Sequence, residues 1–211
     1  MRKLVVLSTF VLGAVATPAF AVVYSTDFSS IASPSSGALQ GDGSIWGVGS
    51  FSTGTPAATW SASAGNFDYL KNGNSGYTCV GLSGGCIELG GSLTSPPSKV
   101  DFALTLAPGS YAISFDYNRQ QFGPSGFDFQ INGFMVESFP VIPANNTWAT
   151  HTEAFSTGGG VVIFSFVTTG LAPNVGALID NVSVVPEPGQ WALLLAGLAA
   201  VGTVARRRRS I

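Results

Sequence analysis

The chain has 211 residues, a formal net charge of −2, only 9% charged residues and 27 glycines. That length leaves room for one domain of ordinary size once the two ends are set aside, and the low charge with abundant Gly, Ser and Thr excludes a disordered or long-helix protein. Between Val22 and Val185 three basic residues (Lys71, Lys99, Arg119) face ten acidic ones, a balance of 3 − 10 = −7, which excludes a phosphate-neutralising nucleic-acid surface.

Met1–Ala21 has the layout of a secretory signal peptide. Arg2 and Lys3 precede an apolar stretch from Leu4 to Val15, and Ala19-Phe20-Ala21 is a small-x-small cleavage site, so the expected mature chain begins at Val22.

The body, 22–185, reads as short strands. Val100, Phe102, Leu104 and Leu106 alternate with polar residues, as do Tyr111, Ile113, Phe115 and Tyr117 after the Ala107-Pro108-Gly109 turn. Phe127, Phe129 and Ile131 repeat the pattern, and Asn132-Gly133 is a hairpin turn signal. Further strands are expected at 22–28, 57–62, 66–71, 86–89, 146–155, 160–168 and 176–185. No sustained helical period interrupts them, so the expected fold is an all-β sandwich. Gly41-Asp42-Gly43-Ser44 lacks the spaced acids of a calcium loop and the lysine of a phosphate loop, and reads as a turn.

Cys79 and Cys86 are the two cysteines and His151 the one histidine. Export favours a Cys79–Cys86 disulfide over a metal site, which needs more ligands than the chain offers, or two free thiols. His151, in Thr150-His151-Thr152, reads as a strand-surface histidine. Asp180 keeps phase with Leu178, Val182 and Val184 and so is expected to face the core, where a carboxylate must be paired, hydrogen-bonded or metal-bound. Two readings stay open: an acceptor of backbone N–H bonds, or, with Asp27, a ligand of structural calcium; no cofactor is required. Trp46 and Tyr77, in Gly/Ser-rich loops, and Trp148 are candidate sugar-stacking rings, although most aromatics fall on core faces. The ten acids include no legible glycosidase pair, and no Gly-x-Ser-x-Gly elbow is present.

The chain ends in VVPEPGQWALLLAGLAAVGTVARRRRSI. Trp191–Ala205 carries no charge and as a helix would measure roughly 22 Å, short for a membrane span, with arginines placed to stay on the cytoplasmic side. Pro186-Glu187-Pro188, that apolar segment and Arg206, Arg207, Arg208 and Arg209 together resemble the PEP-CTERM sorting signal of Gram-negative bacteria. The resemblance implies export through the inner membrane, transient anchoring there, recognition of 186–211 by an exosortase-like membrane protease or transpeptidase, and a surface or extracellular destination near exopolysaccharide.

The body has a resemblance of its own. Trp60 with Gly65-Asn66-Phe67-Asp68-Tyr69-Leu70, then Gly85-Cys86-Ile87-Glu88-Leu89-Gly90-Gly91-Ser92, Leu106–Tyr111 and Leu178–Val184 resemble PEP-CTERM proteins with a galactose-binding-like body. This implies a jelly-roll β-sandwich and polysaccharide binding. The expected protein is an exported, non-enzymatic surface or matrix protein; the alternatives are a secreted glycan hydrolase and a ligand-free structural sandwich.

Overall fold

The computed structural model describes residues 22–41, 43–71, 79–80, 84–90, 98–119, 126–140, 147–169 and 176–187, with Gly197, Ala199 and Val201 of the tail in helical conformation. The signal peptide, Tyr77, Pro188, Arg206–Arg209 and most of the apolar tail segment lie outside these residues. No helix among the described residues is long and apolar enough to cross a membrane.

Fifteen strands are described: β1 Tyr24–Thr26, β2 Ala32–Ser35, β3 Ala38–Leu39, β4 Ile45–Val48, β5 Ser50–Thr53, β6 Ala58–Ala64, β7 Phe67–Lys71, β8 Gly85–Glu88, β9 Lys99–Leu106, β10 Gly109–Arg119, β11 Phe127–Ile131, β12 Phe134–Phe139, β13 Ala149–Thr157, β14 Gly160–Thr168 and β15 Ala177–Pro186. They form two antiparallel sheets. One runs β13-β10-β15-β8-β7-β4-β3, with β1 also on β15; the other runs β12-β11-β14-β9-β6-β5-β2. The chain repeatedly crosses between the sheets, which are thereby tied into one sandwich. The alternating strands β9, β10 and β11 fall where the periodicity places them, because only one face of each sheet is buried against the other, and β14 falls within the strand expected at 160–168.

The core is aromatic. Trp60 stacks on Phe102 at 4.3 Å between ring centroids, and Phe102 stacks in turn on Phe164 at 4.9 Å. Phe127 stacks on Phe139 at 4.5 Å, and Phe115 lies 5.0 Å from Phe129. The buried polar ends are matched: the Trp60 indole N–H donates to the Tyr24 hydroxyl at 2.7 Å, as a sequestered donor requires. Burial pushes the Tyr24 phenol up to about 12.

Three differences from the sequence reading have physical causes. Residues 32–53, unassigned above, form β2 to β5. Their alternation is broken by turns with positive φ at Ser33, Ser36, Gly37, Gly43 and Gly47, so Trp46 stands on β4 and not in a loop. His151 is not simply a surface residue: it pairs with Phe115 and is half-buried, its ring 5.2 Å from both Phe115 and Phe139.

The third difference concerns Asp180. Asp116 pairs with Asp180 but Ser114 pairs with Ser183, so β15 carries a bulge, with Asn181 at φ 47°. The bulge reverses the side-chain alternation. Ile179, Val182 and Val184 join the core between the sheets. Leu178 and Asp180 therefore share the opposite face of the first sheet, and Leu178 packs there in a second cluster with Leu70, Cys79 and Cys86.

Candidate functional site

The Asn181 bulge also divides the edge of β15. Its first half pairs with β8 through Leu178 and Ile179, and its second half with β1 through Val182, Ser183 and Val184. Beside the junction, Ser25, Thr26, Asp27, Ser29, Ser30, the 53–55 segment, Asn181, Val182 and Ser183 line a cleft of about 440 Å³. The lining is mainly polar and rich in hydroxyls. Thr26 and Thr53 share a hydrogen bond at 2.9 Å, Thr53 Oγ1 donates to Ser30 O at 2.7 Å, and Thr26 Oγ1 accepts from Phe28 N at 3.1 Å. This network fixes the rotors of the wall. Asp27 Oδ1 accepts the Ser29 N–H at 3.0 Å, and the Ser29 hydroxyl and N–H hold its carboxyl below the usual range. Asp27 is exposed and ionised, a fixed acceptor at the cleft mouth.

Behind this cleft, Cys79 and Cys86 form a disulfide with Cα atoms 5.5 Å apart. Both cysteines pack with Leu70 and Leu178 on the outer face of the first sheet, where Trp148, half-buried, packs against the same small apolar cluster. Val80 N–H donates to Asp180 Oδ2 at 2.9 Å and Asn181 N–H to Oδ1 at 2.7 Å. Asp180 thus pins the disulfide loop to the bulge. Burial, above all, raises its carboxyl to about 7, against the downward pull of those two N–H donors.

A second buried carboxyl, Glu88, is pushed to about 8 by burial and by the neighbouring Asp68 charge, and accepts the Gly176 N–H at 3.1 Å. Asp68, its cross-strand partner, accepts the Gly47 N–H at 2.7 Å. These acids tie backbone segments together beneath the surface.

Calcium does not fit Asp180 and Asp27. Both Asp180 oxygens already take backbone N–H donors, which repel a cation, and Ca²⁺ needs six to eight oxygens. Among the described residues no three His, Cys, Asp or Glu side chains gather to hold a metal ion. Trp46 is exposed on β4, and β13, which Trp148 precedes, lies at the other end of the sheet order; neither lines the cleft. The cleft itself was not legible in the sequence. Its only local signal was the run Ser25–Ser30 of small hydroxylated residues around Asp27.

Residues 184–209 match the PEP-CTERM protein-sorting motif. No curated protein matches the chain. Among solved structures, the CBM22-1 xylan-binding domain from Paenibacillus barcinonensis Xyn10C is 14% identical, with 81% of this chain and 97% of that one covered at a TM-score of 0.45. The carbohydrate-binding module CBM6cm-2 from Cellvibrio mixtus lichenase 5A, in complex with cellotriose, is 13% identical over 78% of this chain and 98% of that one, at a TM-score of 0.39. TmCBM61, in complex with beta-1,4-galactotriose, is 13% identical over 62% and 88%, at 0.41. These are likenesses of β-sandwich architecture, and no site residue is carried over from them. The chain is an all-β sandwich with a C-terminal PEP-CTERM sorting motif, the mark of an exported protein.

Proposed function

We propose that this is an exported, non-enzymatic surface protein whose sandwich binds a glycan in the β1–β15 cleft, with an exosortase-like enzyme processing its tail and exopolysaccharide as the ligand class. The observation that carries the binding reading is the cleft's chemistry. Hydroxyls that both donate and accept and an ionised acceptor in Asp27 complement sugar hydroxyls, and the volume lies in the range of small-ligand sites. Among the described residues no aromatic ring lines the cleft, and its hydroxyls offer recognition through hydrogen bonds. Catalysis has no comparable support, because Asp68, Glu88 and Asp180 are buried and engaged with backbone N–H groups.

Glycan-array screening of the protein from its native host, followed by calorimetry on the best ligand, tests this. Asp27→Ala and Ser183→Ala should each weaken binding by about tenfold, roughly the loss of one charge-assisted or neutral hydrogen bond, while Trp46→Ala leaves it unchanged. Loss on Trp46→Ala alone would move the site to the β4 edge, and full affinity in the cleft variants would remove the cleft from the reading. Sorting is tested separately. Replacing Pro186-Glu187-Pro188 by alanines should leave an unprocessed, membrane-bound form, visible by intact mass; normal processing of that variant would contradict it.

A further inference from the structure

The two ends of the body emerge together. β1 runs antiparallel to the end of β15, Tyr24 against Val184, so Val22 lies level with the last residues of that strand. β15 continues into the sorting motif: Pro186 pairs with Tyr111, and Glu187 N–H donates to Ser110 O at 3.0 Å. Three residues separate Glu187 from Trp191, the start of the uncharged apolar segment, a reach of at most about 14 Å over the four Cα–Cα steps. An inserted tail therefore holds this end of the sandwich against the membrane.

The same end has an unusual surface. Gly109 and Gly160 bring β9, β10, β13 and β14 together there, since Leu106 pairs with Gly160 and Gly109 with Thr157. The Asn132-Gly133 turn reaches it too, with Asn132 bonded to Ile163 through both its backbone N–H and its side-chain oxygen. The segments 106–112, 131–135 and 156–163 contain no Asp, Glu, Lys or Arg, in a body whose balance is −7. Phe134 is 77% exposed and Met135 64%, and Val161, Ile163 and Val22 are also exposed. The acidic residues that flank these segments in sequence are Asp101, Asp116, Asp128, Glu137 and Glu153, and Glu187 follows the end of β15 beside Ser110.

We propose that this end is a membrane-docking surface: Phe134, Met135, Val161 and Ile163 enter the interfacial layer of the bilayer while the tail is inserted. Loops that carry exposed apolar side chains and no charge of their own meet lipid headgroups with little repulsion, whereas a polar partner would leave those large side chains unused. Docking orients the sandwich and holds the motif at the bilayer surface, where a membrane-embedded processing enzyme acts. The inference rests on the sorting reading, that the tail enters the membrane before processing.

The test uses the full chain in phosphatidylcholine vesicles carrying acyl-chain spin-labelled lipid. A fluorophore is attached at Met135→Cys or, as control, at Ala64→Cys, which is exposed at the opposite end of the second sheet, paired with Lys99. The disulfide leaves the introduced thiol as the single reactive one. The label at 135 should be quenched at least about twofold more than that at 64, as expected for a group entering the outer 5–10 Å of the bilayer. Adding Phe134→Ser and Ile163→Ser should erase the difference while vesicle co-flotation and melting stay unchanged. Equal quenching with intact co-flotation overturns the docking surface alone. A blue-shifted label at 135 that lipid does not quench overturns it in favour of a second protein copy. Failure to co-float overturns the inserted-tail reading and this inference with it.

Discussion

At the residue scale, Trp60 and Tyr24 show how the core settles polar atoms. Trp60 is fully buried between Phe28, Phe102 and Phe166. Its one polar atom needs an acceptor, and the Tyr24 hydroxyl supplies it, donating in turn toward Thr53 O at 3.4 Å. Tyr24→Phe keeps the ring stack and leaves the indole N–H without that acceptor. The expected cost is about 1–3 kcal/mol, read as a lower urea midpoint with an unchanged slope. The double variant with Trp60→Phe should recover part of the loss, because it removes both partners. Equal instability in both would mean the ring, not the hydrogen bond, carries the effect.

Among elements, the disulfide loop and the β15 bulge act as one unit. The two cysteines pack on Leu70 and Leu178, and Val80, beside Cys79, offers its N–H to Asp180. Cys79→Ser with Cys86→Ser should lower stability by about 2.5 kcal/mol in the chain-entropy model. Trp148, which packs on that cluster, should shift its emission to the red as the cover loosens; unchanged emission would uncouple the loop from the cluster. This unit also marks the limit of sequence reading. The strands that alternate, β9, β10 and β11, were legible because burial on one face imposes a period of two. The cysteine pair was legible from export and spacing. The bulge was not: one residue in a left-handed conformation reverses the alternation, and Asn181 in Ile179-Asp180-Asn181-Val182 looks like any strand residue. Asp180 therefore faces the outer side of the first sheet and not the core between the sheets, and the cleft, which depends on where β8 stops and β1 begins, left no sign in the alternation. Residues 32–53 were missed for a related reason, since repeated turns leave strands too short to show a period.

Across the whole molecule, the outer face of the first sheet buries carboxyls in an acidic protein, and this sets its response to pH. Glu88 is pushed to about 8 and Asp180 to about 7, from ordinary values of 4.5 and 3.8. Both shifts are upward, so the native state binds more protons than the unfolded chain between pH 4 and 8. Stability from these groups is then fully present below pH 4 and is lost as pH rises through 7 and 8. The net negative body adds in the same direction, since repulsion grows as carboxyls ionise. The melting temperature should fall between pH 5 and pH 9, by about 2–4 °C for each kcal/mol lost at this size. Glu88→Gln keeps the shape and an acceptor for Gly176 N–H, so it should flatten most of the slope above pH 7 and melt higher than the parent at pH 9. Asp180→Asn should flatten it between about pH 4 and pH 7, with Asp180→Ala instead lowering stability at every pH because Val80 N–H loses its acceptor. A melting temperature that rises between pH 5 and pH 9 would show that Glu88 and Asp180 are ionised in the folded protein, and that unprotonated carboxylates hold the disulfide loop and the Gly176 turn in place.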